Sequence, residues 1–205
     1  MKISKRTAKQ AMRSVGKMGG VNPLVIGILI FGFTLGVAFE EINGIGTWHS
    51  YHPETKKINV CFTPPAGCGN LIALEISKAR DSIYMQAYGI TSKPIIRELI
   101  RAKHRGVKVT ALLDSSNLHE TSSKMQELID AGIEVRIDKV SGIAHNKVII
   151  IDKKKVITGS FNFTTAADTM NVENVVLFED VNIANTYLQN WLSRKKRILE
   201  KQIVQ

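Results

Sequence analysis

Between residues 58 and 137 short apolar runs alternate with stretches whose apolar residues recur at helical spacing, and this alternation constrains the fold more than any other feature of the chain. It predicts strands at 58–62, within 82–90, at 107–113 and at 133–137, and helices at 71–80, 94–104 and 121–131. Gly106 and Gly132 stand where the second and third helices must stop. Strands separated by helices pair in parallel across each crossover. Past residue 145 the pattern changes to hairpin-like strands and a closing helix at 181–200. The expected fold class is therefore α/β, a mixed, largely parallel β-sheet flanked by helices on both faces, forming one domain over 58–205.

Chemically costly residues gather at 144–162, AHNKVIIIDKKKVITGSFN. His145 and Lys147 are two residues apart, and side chains so spaced on a strand point the same way, about 7 Å from each other. That spacing suits an imidazole and an ammonium gripping one phosphate. Asp152 lies seven residues beyond His145, so strand parity puts it on the other face or at the strand end, away from direct proton exchange with the imidazole. Residues 152–155 read as a hairpin turn and 155–159 as the returning strand, which leads to Ser160 and Asn162, again of one parity. Glu173, in NVENVV, opens a further strand able to bring a carboxylate to the same place. A His beside a Lys on a strand is ordinarily plain surface; Ser160, Asn162 and Glu173 in register argue for a site.

HNKVIIID, followed after six residues by GSFN, resembles the HxKxxxxD and GSxN signature of the phospholipase D superfamily, with Glu173 in the place of its downstream glutamate. The likeness extends over residues 60–191 and points to the short, single-motif bacterial branch, which includes Nuc-type endonucleases and small secreted proteins named phospholipase D. The resemblance implies a phospholipase D-like sandwich and hydrolysis of a phosphodiester without a metal or other cofactor. It implies His145, Lys147 and Asp152 as catalytic residues, with Ser160, Asn162 and Glu173 binding phosphate or supporting those that do.

Phosphodiesters resist hydrolysis because the anionic phosphorus repels nucleophiles and the alkoxide leaves poorly. A catalyst needs a nucleophile, positive charge on the non-bridging oxygens and an acid for the leaving group. In the roles the resemblance implies, His145 forms a phosphohistidine that water later hydrolyses, and Lys147, Asn162 and Ser160 hold the phosphate oxygens. Glu173 would fix the imidazole tautomer. A second histidine is needed as general acid, and His49, His52, His104 and His119 have no lysine two residues on. A two-fold homodimer with one composite site would supply it.

The remaining histidines have simpler readings. His49 and His52 lack a Cys or carboxylate at ligand spacing and fit a loop. His104 falls in the last turn of its helix, where it helps the terminal carbonyls. Asp114 and Ser115, shortly before His119, stand at a strand exit, which suits either a site or plain turn and cap chemistry.

Six basic residues and no acid occupy the N-terminal segment 1–20, and the 19 residues of 21–39 are apolar apart from Asn22, Pro23 and Thr34. Such a pair predicts export across the inner membrane to a secreted or periplasmic location, by a cleaved signal peptide or, alternatively, with 21–39 kept as a membrane anchor. Residues 40–57 then form a linker to the catalytic domain at 58–205. In an exported chain Cys61 and Cys68, seven apart, are a disulfide candidate rather than a metal site. The net charge is +10; without residues 1–41, which hold six basic and two acidic side chains, it is still +6. That balance favours an anionic partner, a phospholipid membrane or a nucleic acid, without choosing between them.

Three functions follow in order. The first is an exported phospholipase D, releasing the head group of phosphatidylcholine or a similar phospholipid to leave phosphatidate. The second is a metal-independent, non-specific endonuclease of DNA or RNA, favoured by the basic body. The third, a membrane-tethered nucleic-acid-binding protein without catalysis, has no use for His145.

Overall fold

Each segment folds by its own pattern of burial. The computed structural model describes residues 58–65 and 67–203; the segments 1–20, 21–39 and 40–57, with His49 and His52, lie outside the described residues. The strands are β1 (Ile58–Thr63), β2 (Ser82–Ala87), β3 (Lys108–Asp114), β4 (Glu134–Asp138), β5 (Lys147–Ile151), β6 (Lys155–Gly159) and β7 (Glu173–Glu179). The helices are α1 (Cys68–Ser77), α2 (Lys93–His104), α3 (Met125–Asp130), α4 (Thr165–Thr169) and α5 (Val181–Ile203). Among the described residues the strands form one sheet in the order β1-β7-β6-β5-β2-β3-β4.

Neighbouring residues on each strand serve opposite faces, as the two-residue period requires. Ile83 and Met85 of β2, with Val109, Ala111 and Leu113 of β3, pack on one side with Ile72 and Ile76 of α1 and Ile95 and Leu99 of α2. Tyr84, Leu112, Ile150 and Val156 turn to the other side, where Ala184, Leu188 and Trp191 of α5 cover them. Trp191 is 1% exposed. Its indole N–H donates to the Met85 carbonyl at 2.9 Å, so a large apolar group is buried without an unsatisfied donor.

The sheet is mixed with helices on both faces, but it is mostly antiparallel, which corrects the expectation of a largely parallel one. Only β2–β3 and β3–β4 pair in parallel, across α2 and α3. The other pairs, β1–β7, β7–β6, β6–β5 and β5–β2, run antiparallel. The reason lies in the connections: α1 carries the chain from the edge strand β1 to the sheet centre, and β5 and β6 are joined by a tight hairpin. Asp152 and Lys153 have φ of 51° and 54°, and the Lys154 N–H returns to the Ile151 carbonyl at 3.0 Å. Two left-handed residues in sequence make the primed turn whose twist matches its flanking strands.

Two helix boundaries also move. α1 begins at Cys68, ahead of the helix expected at 71–80, because the Asp168 carboxylate accepts from the Gly67 and Gly69 amides, both at 3.0 Å. α3 occupies only the second half of the expected 121–131. The Lys124 amide is taken by the Ile90 carbonyl at 2.8 Å, which ties the preceding segment to the end of β2 instead of starting a helix.

Candidate active site

The carboxyl ends of β2 and β3 and the start of β5 meet at one end of the sheet, since Ala87 pairs with Lys147 and β3 ends at Asp114. His145 precedes β5 and is exposed. Its position is set by the residue before it: the Ala144 N–H donates to the Asp114 carboxylate at 2.7 Å. Asp114 is buried and also accepts from the Ser116 amide at 2.9 Å. Burial alone would raise its carboxyl, but these backbone hydrogen bonds outweigh it and hold the group below the ordinary aspartate value. Asp114 thus serves the cap chemistry legible in the sequence and, in addition, pins the chain beside His145.

Lys147 is the first residue of β5 and only 7% exposed. Its ammonium donates to the His145 carbonyl at 2.9 Å and lies 5.5 Å from the centre of the Tyr88 ring. Tyr88 in turn meets the His145 imidazole edge to face, ring centres 4.9 Å apart. Burial pushes the Lys147 ammonium below the ordinary lysine value, and the nearby charge of Glu173 pulls it back up. One of three N–H donors is used on a carbonyl, which leaves the group able to grip a phosphate oxygen.

The GSFN segment reaches the same place from β6. The Asn174 carbonyl accepts from both the Ser160 and the Phe161 amides, at 3.1 and 3.3 Å. Gly159 makes that approach possible: its φ is +145°, and a Cβ there would run into the Asn174 carbonyl oxygen. Phe161 is buried, while Ser160 and Asn162 flank it on the site side.

Their roles differ from the simplest expectation. The Ser160 hydroxyl donates its one proton to Glu173 at 2.5 Å and accepts from the Asn174 amide at 3.0 Å, so it supports the site rather than donating to phosphate. Glu173 also accepts from Asn171 Nδ2 at 3.0 Å. Its carboxylate bonds Ser160 and Asn171 rather than His145, and its charge acts on Lys147. Asn162 presents a buried amide oxygen that no protein group satisfies.

Asp152 is the residue the structure does not bring here. It sits at the far end of β5, where its carboxylate accepts from the Arg80, Asp81 and Ser82 amides at 3.0, 2.8 and 3.0 Å. There it holds the start of β2 against the β5–β6 turn. Cys61 and Cys68 form a disulfide, with Cα atoms 5.8 Å apart, joining β1 to α1. His104 and His119 are exposed at the ends of α2 and of the 3₁₀ turn Ser115–Leu118. Among the described residues no cluster of three or more His, Cys, Asp or Glu side chains is disposed to hold a metal ion. Sequence reasoning missed Tyr88, whose only trace was an aromatic residue just past a strand end.

An exposed imidazole with a buried ammonium beside it at a sheet end can receive a phosphate ester, and the Asn162 amide oxygen offers an unused acceptor. Residues 72–194 match the family described as cardiolipin synthase, PLD-like domain. The chain is 64% identical over 139 residues to a phospholipase D of Rickettsia conorii, covering 68% of this chain and 70% of that one. It is 33% identical over 138 residues to the mitochondrial cardiolipin hydrolase of the dog, Canis lupus familiaris, covering 62% of this chain and 54% of the relative. The fold is similar to the crystal structure of Nuc, a phospholipase D family member from Salmonella typhimurium, with a TM-score of 0.65 and 36% identity, covering 68% of this chain and 94% of that one. The chain belongs to the phospholipase D superfamily and is a phosphodiesterase of that family.

Proposed function

We propose that the protein is an exported phospholipase D that hydrolyses phosphatidylcholine or a similar phospholipid to phosphatidate and the head-group alcohol. The observation that carries the chemistry is the pairing of an exposed His145 with Lys147, whose buried ammonium keeps donors free. His145 attacks phosphorus, the P–O bond to the head group breaks, and the phosphoryl group passes to the imidazole nitrogen. The leaving oxygen takes its proton from a second histidine. That histidine then removes a proton from water, which attacks phosphorus, breaks the P–N bond and frees His145. Lys147 and Asn162 stabilise the charge on the non-bridging oxygens throughout.

The second histidine comes from another copy of the chain, in a two-fold homodimer with one composite site. His145 lies exposed at the sheet end, where a second copy can face it. No metal is required in this scheme. Export is supported by the basic and apolar segments at 1–20 and 21–39, and by the Cys61–Cys68 disulfide, a bond at home in oxidising compartments.

A phospholipid is favoured because the R. conorii relative, at 64% identity, is called phospholipase D. The second reading is a metal-independent endonuclease, supported by the Nuc-like fold and the net charge of +6 after residue 41. Product analysis separates them. Phosphatidylcholine vesicles should yield phosphatidate and choline; fragmentation of single- or double-stranded DNA or RNA with intact lipid would establish the nuclease.

A further inference from the structure

Beside the catalytic pair lies a cavity of about 200 Å³ whose lining includes Tyr88, Ser116, Asn117, Glu120, Ser122 and Asn162. It shares Tyr88 and Asn162 with the site. Tyr88 touches His145 and Lys147, and Asn162 brings to the wall the buried amide oxygen that nothing in the protein satisfies. Asn117 fixes one wall: it is buried, donates to the Tyr88 carbonyl at 2.6 Å and to the Asp114 carbonyl at 3.1 Å, and accepts from Ser123 at 2.9 Å.

The charge of this wall runs against the rest of the molecule. In a chain of net charge +10, the single charged residue lining the cavity is a carboxylate, Glu120. The amide and hydroxyl of Ser122 donate to it at 3.2 and 2.9 Å and hold its carboxyl below the ordinary glutamate value. A second phosphate would be repelled there, and a cation drawn in. Size points the same way. A cavity of about 200 Å³ has room for a small amino-alcohol head group.

We propose that this cavity is the leaving-group subsite and that Glu120 is its specificity-determining residue, selecting phospholipids whose head group ends in an ammonium. The inference rests on the phospholipase D reading of the site and adds to it the cavity and the residue that select the head group. In the dimer the ammonium sits against Glu120 of the copy whose His145 serves as the acid, so that the leaving ester oxygen lies beside that histidine, and the Asn162 amide oxygen accepts from any N–H or O–H of the head group.

The test uses the full chain, wild type, Glu120→Gln and Glu120→Lys, on mixed micelles of phosphatidylcholine, phosphatidylethanolamine and phosphatidylglycerol of one acyl composition. Each rate is referred to the same protein's rate on bis(4-nitrophenyl) phosphate, which carries no ammonium. Wild type should prefer the two ammonium head groups over glycerol. Glu120→Gln should lower that preference about tenfold, the effect of one charge contact near a protein surface, and Glu120→Lys should reverse it. The same preference in all three proteins would overturn the role of Glu120. Hydrolysis of bis(4-nitrophenyl) phosphate without turnover of any phospholipid would overturn the subsite and leave the phosphodiesterase standing. If wild type hydrolyses none of these, the phospholipase D reading falls and the subsite with it.

Discussion

Two aspartates show how one residue type takes different work from its partners. Asp114 divides its oxygens, Oδ1 accepting from Ser116 and Oδ2 from Ala144. An asparagine keeps only one acceptor, so Asp114→Asn frees the chain before His145. We expect kcat to fall about tenfold or more with KM little changed, as misplacement of a reacting group does; an equal rise in KM instead would show a substrate-binding role. Asp152 holds three backbone amides at the other end of β5. Burial raises its carboxyl and those amides lower it further, so the folded group lies below the ordinary aspartate value. Its contribution is therefore present above about pH 4 and fades as pH falls through the depressed folded value. Asp152→Ala should cost about 1–2 kcal/mol at pH 7, read by urea unfolding, and the gap to wild type should narrow below about pH 4. The folded variant should still turn over substrate; a stable, inactive Asp152→Ala would restore a catalytic role. At this scale the sequence was most informative where spacing alone places a side chain. His145, Lys147, Ser160, Asn162 and Glu173 share strand parities and reach one sheet end. It was silent where the partner is a backbone amide far away in sequence, as for Asp152 with Arg80 and Asp114 with Ala144.

The elements carry the site by their ends. The β5–β6 hairpin sends His145 and Lys147 in and Ser160 and Asn162 out at one end, while β7 returns Glu173 beside them. Gly159 is the point where β6 and β7 approach too closely for a side chain. Gly159→Ala should destabilise the fold by about 2 kcal/mol or more, a strained backbone adding to a blocked contact, and should weaken activity through displaced Ser160 and Asn162. A thermal midpoint equal to wild type would contradict that account of the GSFN turn. The strand and helix pattern was legible from periodicity, and so was the hairpin at 152–155. Strand direction was not, because alternation reveals crossovers between neighbours but not that β1 leaves β2 to pair with β7. Nor was the shortening of α3, which depends on Lys124 bonding to Ile90.

For the molecule as a whole, the single HxK pair makes the proposed two-histidine chemistry depend on assembly. If one composite site draws a histidine from each copy, mixing wild type with inactive His145→Asn before subunit exchange should lower activity as the square of the wild-type fraction. A linear fall would mean that each copy works alone. The disulfide fastens the edge strand β1 to α1, so reduction should loosen that edge before the sheet centre. The central claim, that His145 is the nucleophile of a metal-independent phosphodiesterase, is tested most directly by hydrolysis of bis(4-nitrophenyl) phosphate by the full chain in excess EDTA, beside His145→Asn. Sustained turnover by wild type with at least about a thousandfold loss in the variant is the expected result, the scale on which removing a nucleophile acts. Equal rates in the two proteins, or wild-type activity abolished by EDTA, would contradict it.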